Sequence, residues 1–253
     1  MTKATALVHH TVASEEKKTV RQQLMRLWSE RPMPDDQLLT NLGLYMRSSA
    51  LAKIFFLQEI YLQMLDIPGC ILTLGTWWGQ DLIVFENLRA IYEPYNYNRS
   101  IIGFDTFTGY QAPSAKDKSS AVVSEGNYST SDQYDKYLEA LMSYHEQENV
   151  MAEVKKHRIL KGDVQVTVPQ FLDENPQVLI ALAYFDFATY EPTRASLKAI
   201  LPRLVKGSVL AFDELNSSSY PGETEAVLEV LELKQYTIKR SKFLPDRSYL
   251  IVG

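Results

Sequence analysis

The chain has 253 residues, 45% of them hydrophobic, and a formal net charge of −5. That is enough for one large globular domain or two small ones. No basic run offers a nucleic-acid footprint, and "EVKKHR" is short and mixed in sign. The single cysteine, Cys70, excludes an internal disulfide framework and fits a reducing, cytoplasmic setting. The N-terminus lacks the apolar core of a signal peptide, and no stretch approaches the roughly 20 apolar residues of a membrane helix. Neither nucleic acid nor a membrane is an expected partner.

Residues 1–68 read as a helical extension. Val20, Leu24, Leu27 and Trp28 recur at helical spacing, and "SALAKIFFLQEIYLQML" carries a broad apolar face until Pro68-Gly69 stops it. Burial of that face against another subunit or within the chain would explain it equally well; the first option makes a homo-oligomer the expectation. His9 and His10 fall in a stretch expected to be poorly ordered.

From residue 69 the period changes. Short apolar runs at 70–76, 100–105, 157–162, 178–187 and 207–214 alternate with helical patterns, and "YTIKR" and "RSYLIVG" close the chain as an antiparallel pair. Such alternation predicts an α/β fold with a mostly parallel sheet covered on both faces. Residues 107–132 are polar, aperiodic and too long for an ordinary connection, which marks a loop or lid over an active site. The helix near 133–147 carries Tyr134, Tyr137, Leu138, Leu141 and His145 on one face. His145 there reads as a packed histidine, and His157, beside two lysines, as a surface one.

Ligands of open α/β sheets bind beyond the carboxyl ends of the strands. Here those ends deliver "LGTWWG", Asp105, Asp163, Asp186 and the adjacent pair Asp213-Glu214. Gly75 and Gly79 let the chain turn before a helix N-terminus, Trp77 and Trp78 either wall a cofactor or pack, and Asp105 is placed to accept from ribose hydroxyls. Asp163 either accepts from an adenine amino group or caps its helix. Asp186, Asp213 and Glu214 would repel one another in one cleft unless a hard divalent cation such as Mg2+ sat among them. The alternative is that Asp186 caps the following helix and Glu214 faces solvent. Arg47, at the start of the long helix, is placed to meet an anionic group. No Y-x-x-x-K, P-loop or G-x-S-x-G pattern is present.

"IPGCILTLGTWWGQ", "GFDTFTGY", "LKGDVQVTVP", "YFDFATYEPT" and "VKGSVLAFDE" occur in an order and spacing that resembles the macrocin and mycinamicin sugar O-methyltransferase family. The resemblance covers about residues 45–235, and length and overall look place it with the enediyne-pathway branch. It implies a class I methyltransferase, Rossmann-like and doubly wound. The sheet would be seven-stranded and mostly parallel, with a C-terminal antiparallel hairpin and an N-terminal helical cap over residues 1–68. It further implies S-adenosyl-L-methionine and Mg2+ as cofactors, and a sugar or nucleotide-sugar acceptor such as TDP-rhamnose. Carried over by position, Gly75, Thr76 and Gly79 flank the methionine part of the cofactor. Asp105 serves its ribose and Asp163 its adenine, Trp77 and Thr106 also bind the cofactor, and Ser49 belongs to the Met46–Ser49 cofactor and acceptor region. Asp186, Asp213 and Glu214 hold the metal, Asp186 is also the base, and Arg47 and Tyr190 meet the acceptor. Three positions depart from the family: Thr73 replaces a glutamate, Trp78 replaces a basic residue, and Glu214 replaces an aspartate. A catechol-type O-methyltransferase, with the tyrosine-rich helix lining its pocket, and a non-catalytic binding protein are the rival readings.

Overall fold

In the computed structural model, residues 13–118 and 122–253 are described. Their strands are β1 (Cys70–Leu74), β2 (Ile101–Asp105), β3 (His157–Lys161), β4 (Ile180–Phe185), β5 (Leu204–Phe212), β6 (Tyr236–Arg240) and β7 (Ser248–Val252). The helices are α1 (Glu15–Ser29), α2 (Asp35–Leu38), α3 (Ser48–Gln63), α4 (Gln80–Tyr92), α5 (Tyr134–Gln147), α6 (Val164–Glu174), α7 (Tyr190–Ile200) and α8 (Pro221–Val230).

The strands form one sheet in the order β3-β2-β1-β4-β5-β7-β6. The first five are parallel, and β7 pairs antiparallel with both β5 and β6. The last strand therefore inserts beside β5 and leaves β6 at the edge. Composition explains the choice, because "SYLIV" buries Tyr249 and Leu250 whereas no residue of "YTIKR" is buried.

Both faces of the sheet are covered, so β1 and β4 are buried at every residue. Ile71 packs with Leu57 and Ile60 of α3, Phe85 of α4 and Leu138 of α5. Cys70, Leu72 and Leu74 point the other way, to Phe171 of α6, Leu197 of α7 and Val227 of α8. This alternation is the two-residue period of a strand sandwiched between helix layers.

The N-terminal segment is not uniform. α3 buries Phe56, Leu57, Ile60 and Tyr61, so much of the apolar face at 51–65 is spent within the chain, while Leu51, Phe55 and Leu62 stay exposed. α1 buries no residue, and its Val20 and Leu27 are exposed. His9 and His10 lie outside the described residues. His157 corrects the expectation of a surface histidine: it is 2% exposed, with Nδ1 3.0 Å from Glu146 and Nε2 3.2 Å from Glu139. It faces two glutamates of α5, and the neighbouring lysines go with it: Lys155 Nζ meets the same Glu139 oxygen, and Lys156 is itself buried. Among the described residues no helix is long and apolar enough to cross a membrane.

Candidate active site

Strand order reverses between β1 and β4, the point where a doubly wound sheet opens a crevice. The ladder extends past both strand ends there: Asp186 N–H donates to Leu74 O at 2.8 Å and Asp213 N–H to Phe185 O at 3.0 Å. Gly75 follows with φ of 92°, and a Cβ there would stand 2.4 Å from the Asp186 carbonyl oxygen. Only glycine allows that approach. Above the strand ends lies a cavity of about 330 Å³ bordered by Gly75, Trp77, Asp105, Asp163, Asp186 and Glu214 among others.

On one side stand the glycine turn and two acids. Asp105 accepts from Phe107 N–H at 2.6 Å through Oδ1 and from Trp77 N–H at 2.8 Å through Oδ2. Burial raises its pKa against these backbone donors. The carboxylate thus ties the turn after β1 to the loop after β2 and keeps spare lone pairs toward the cavity. Asp163 is the N-cap of α6, accepting Gln165 N–H at 3.0 Å, and it also borders the cavity. Gly79, in the left-handed region, opens α4, and Leu138 fills the space where its Cβ would lie.

The other side is acidic. One oxygen from each of Asp186, Asp213 and Glu214 lies within 4.8 Å of the others. Asp213, 3% exposed, receives Arg247 through two bonds, Nε to Oδ1 at 2.7 Å and Nη2 to Oδ2 at 2.5 Å. Asp186 Oδ2 receives the Lys53 ammonium at 3.0 Å. Tyr184 O–H lies 2.6 Å from Asp213 Oδ1 and 3.2 Å from Asp186 Oδ2, so its single proton serves the shorter contact. Among the described residues no cation pairs with Glu214. Its backbone N–H donates to Glu223 Oε1 at 2.9 Å, and the Oε2 atoms of both glutamates are buried without a partner. Burial, reinforced by Asp213, pushes both carboxyls well above the usual range.

Behind this row Asp81, on the first turn of α4, is 4% exposed, and among the described residues neither of its oxygens has a hydrogen-bond partner. Burial lifts its pKa to about 7. Burial alone would lower the Lys53 ammonium, but Asp186, Asp213 and Asp81 together hold it above the ordinary lysine range. Five carboxyl groups therefore face two fixed cations. The excess of hard oxygen donors, with four orphaned carboxyl oxygens among them on Asp81, Glu214 and Glu223, fits a divalent cation. The same negative field suits a ligand bearing a sulfonium charge.

The fold thus gathers Gly75, Trp77, Asp105, Thr106, Asp163, Asp186, Asp213 and Glu214 around one cavity, with Thr76 and Gly79 in the turn beneath. It does not gather Arg47 and Ser49, which are exposed at the start of α3 and do not border the cavity. The Tyr190 hydroxyl is turned away toward Glu229 and Lys116. Tyr134 packs its ring on Trp78 and donates to Trp78 O, and Tyr137 is 59% exposed, so α5 presents no tyrosine to the cavity. The aromatic walls are instead Trp77, Tyr110, Tyr128, Phe187 and Tyr220. Sequence reasoning missed Lys53, Tyr184, Glu223 and Arg247. Lys53 left one legible signal, as the only charged residue between Arg47 and Glu59 in an apolar helix.

An open sheet of this order, with a glycine turn after β1 and acids at successive strand ends, defines a class I methyltransferase. No protein-family model and no curated protein matches the chain. Among solved structures it is similar to CalS11, described as the calicheamicin methyltransferase, at 39% identity over 98% of this chain and 96% of that one, with a TM-score of 0.92. It is likewise similar to apo CalS11, described as TDP-rhamnose 3′-O-methyltransferase, an enzyme in calicheamicin biosynthesis, at 38% identity over 98% of both chains and a TM-score of 0.84. The O-methyltransferase NovP shares the fold at 16% identity over 78% of this chain and 79% of that one, with a TM-score of 0.56. The chain belongs to the O-methyltransferase family of CalS11, and so to the S-adenosylmethionine-dependent class of these enzymes.

Proposed function

We propose that the protein methylates a hydroxyl of a deoxysugar carried on a nucleotide, with TDP-rhamnose the first acceptor to try and S-adenosyl-L-methionine the donor. The near-full-length similarity to CalS11, at 38% identity, carries this reading. The acidic strand-end cavity supports it. In this reading Gly75, Thr76, Trp77 and Gly79 border the methionine portion of the donor. Asp105 and Thr106 accept from its ribose, and Asp163 meets its adenine. The donor supplies an electrophilic methyl group. Asp186, Asp213 and Glu214 would hold a hard divalent cation such as Mg2+, which when bound polarises an oxygen ligand and lowers the pKa of a hydroxyl.

Asp186 receives the proton that the acceptor hydroxyl gives up as its oxygen attacks the methyl group. The strand ends fix donor and acceptor in line, so much of the acceleration comes from positioning. Tyr110 and Tyr128 wall the cavity and keep water from the reacting atoms. Purified protein incubated with S-adenosylmethionine and either TDP-rhamnose or a catechol, followed by mass spectrometry, tests the reading. A nucleotide sugar heavier by one methylene group is the expected product. Methylation of the catechol alone would overturn it. Full activity in excess chelator would remove the metal from it.

A further inference from the structure

We propose that Lys53 is a positioning residue for Asp186, fixing which carboxylate oxygen faces the acceptor. The inference rests on the role of Asp186 proposed above. An aspartate's terminal torsion is broad and roughly two-fold, so a carboxylate at a cavity edge has no intrinsic reason to hold one plane. Here Lys53 Nζ binds Oδ2 at 3.0 Å. Tyr184 commits its proton to Asp213, which leaves Lys53 as the donor dedicated to Asp186. Nothing among the described residues donates to Oδ1, and Asp186 keeps 29% of its side chain exposed at the cavity edge. Oδ1 is therefore the oxygen turned to the cavity, open to a substrate hydroxyl and to the cation proposed above.

Lys53 can hold this geometry because its helix is anchored. It precedes Phe56 and Leu57 by three and four residues, so it shares the face of α3 that is wholly buried on the sheet. Its stem runs inward along that apolar face, and the ammonium ends 5.8 Å from the Tyr184 ring centre. A helix lying before the first strand thereby contributes to a site otherwise built from strand ends.

The test is a double-mutant cycle on turnover, with cofactor binding followed by calorimetry. Lys53→Met should lower kcat about 100-fold, the scale of a misplaced catalytic group, with the acceptor KM and cofactor affinity retained. Lys53→Arg should recover part of the loss, and ethylammonium should rescue Lys53→Ala saturably. Because Lys53 acts through Asp186, Lys53→Met in an Asp186→Asn background should cost nothing further. Additive losses, or a Lys53→Met enzyme with wild-type kcat beside a dead Asp186→Asn, would overturn the Lys53 assignment alone. Wild-type turnover by Asp186→Asn would instead overturn the proposed role of Asp186, and the positioning role with it.

Discussion

Arg247, in the turn between the last two strands, grips both carboxylate oxygens of Asp213 at the end of β5, at 2.7 and 2.5 Å. The pair joins the antiparallel tail of the sheet to the acidic row. Asp213 is 3% exposed, so removing its partner strands a buried charge. Arg247→Met is expected to cost about 3–5 kcal/mol in urea unfolding. Arg247→Lys should recover only part, since an ammonium cannot meet two oxygens side by side. A loss below about 1 kcal/mol, the value of an exposed ion pair, would show that the pair is not desolvated as described.

Asp105 uses its two oxygens on two backbone amides, those of Trp77 and Phe107. Asparagine offers one acceptor and would set its NH2 group against the other N–H. Asp105→Asn should therefore loosen the turn after β1 and weaken binding of S-adenosylhomocysteine about 10-fold or more, the cost of one buried unpaired donor. Calorimetric titration checks this. Unchanged affinity would separate Asp105 from the cofactor.

Asp81 makes stability depend on pH. Its carboxyl titrates near 7 in the folded chain against an ordinary value of 3.8, so the native state holds the proton more tightly. The stabilisation it gives is complete below about pH 4, is lost as pH rises toward about 7, and is constant beyond. Asp81→Asn cannot titrate. Its advantage over the wild type should thus be larger at pH 8 than at pH 5, by up to about 3 kcal/mol, the part of the titration that falls between those two pH values. Unfolding both proteins at the two pH values decides it, and a difference that does not change with pH would refute it.

Gly222 is the seat of Asp117. A Cβ at 222 would lie 1.9 Å from Asp117 Oδ1 and 2.6 Å from Tyr190 N, whose N–H donates to that same oxygen at 2.8 Å. Asp117 also accepts from the Ser114 N–H and hydroxyl, both at 2.8 Å, so it pins residues 114–117 to the start of α7. Gly222→Ala should push this stretch off, speed amide exchange at Tyr190 and residues 114–117, and cost about 1–3 kcal/mol of overpacking. Exchange rates equal to wild type would mean that the loop accommodates the methyl group.

The fold was legible because its signals are local. Apolar runs ending in glycine or an acid, alternating with helical periods, give strand and helix types without knowledge of their neighbours. The acids at 105, 186, 213 and 214 were legible for the same reason, since each terminates a strand and parallel strands bring their carboxyl ends to one rim. Asp163 reads as both the cap of α6 and a cavity residue, two roles that one position at a helix N-terminus satisfies together. His157 misled because adjacent lysines suggest solvent, whereas Glu139 and Glu146 of α5 receive it, Lys155 shares Glu139, and Lys156 is itself buried.

Sequence by itself determined the class of this protein: the parallel sheet, its closing hairpin and the row of acids, all written in short-range patterns and strand-end chemistry. Tertiary structure alone decided which cations stand among those acids. Lys53 lies 133 positions from Asp186 and Arg247 lies 34 from Asp213. No periodicity links residues that far apart, and only packing of α3 and the final strands against the sheet brings their charges into contact.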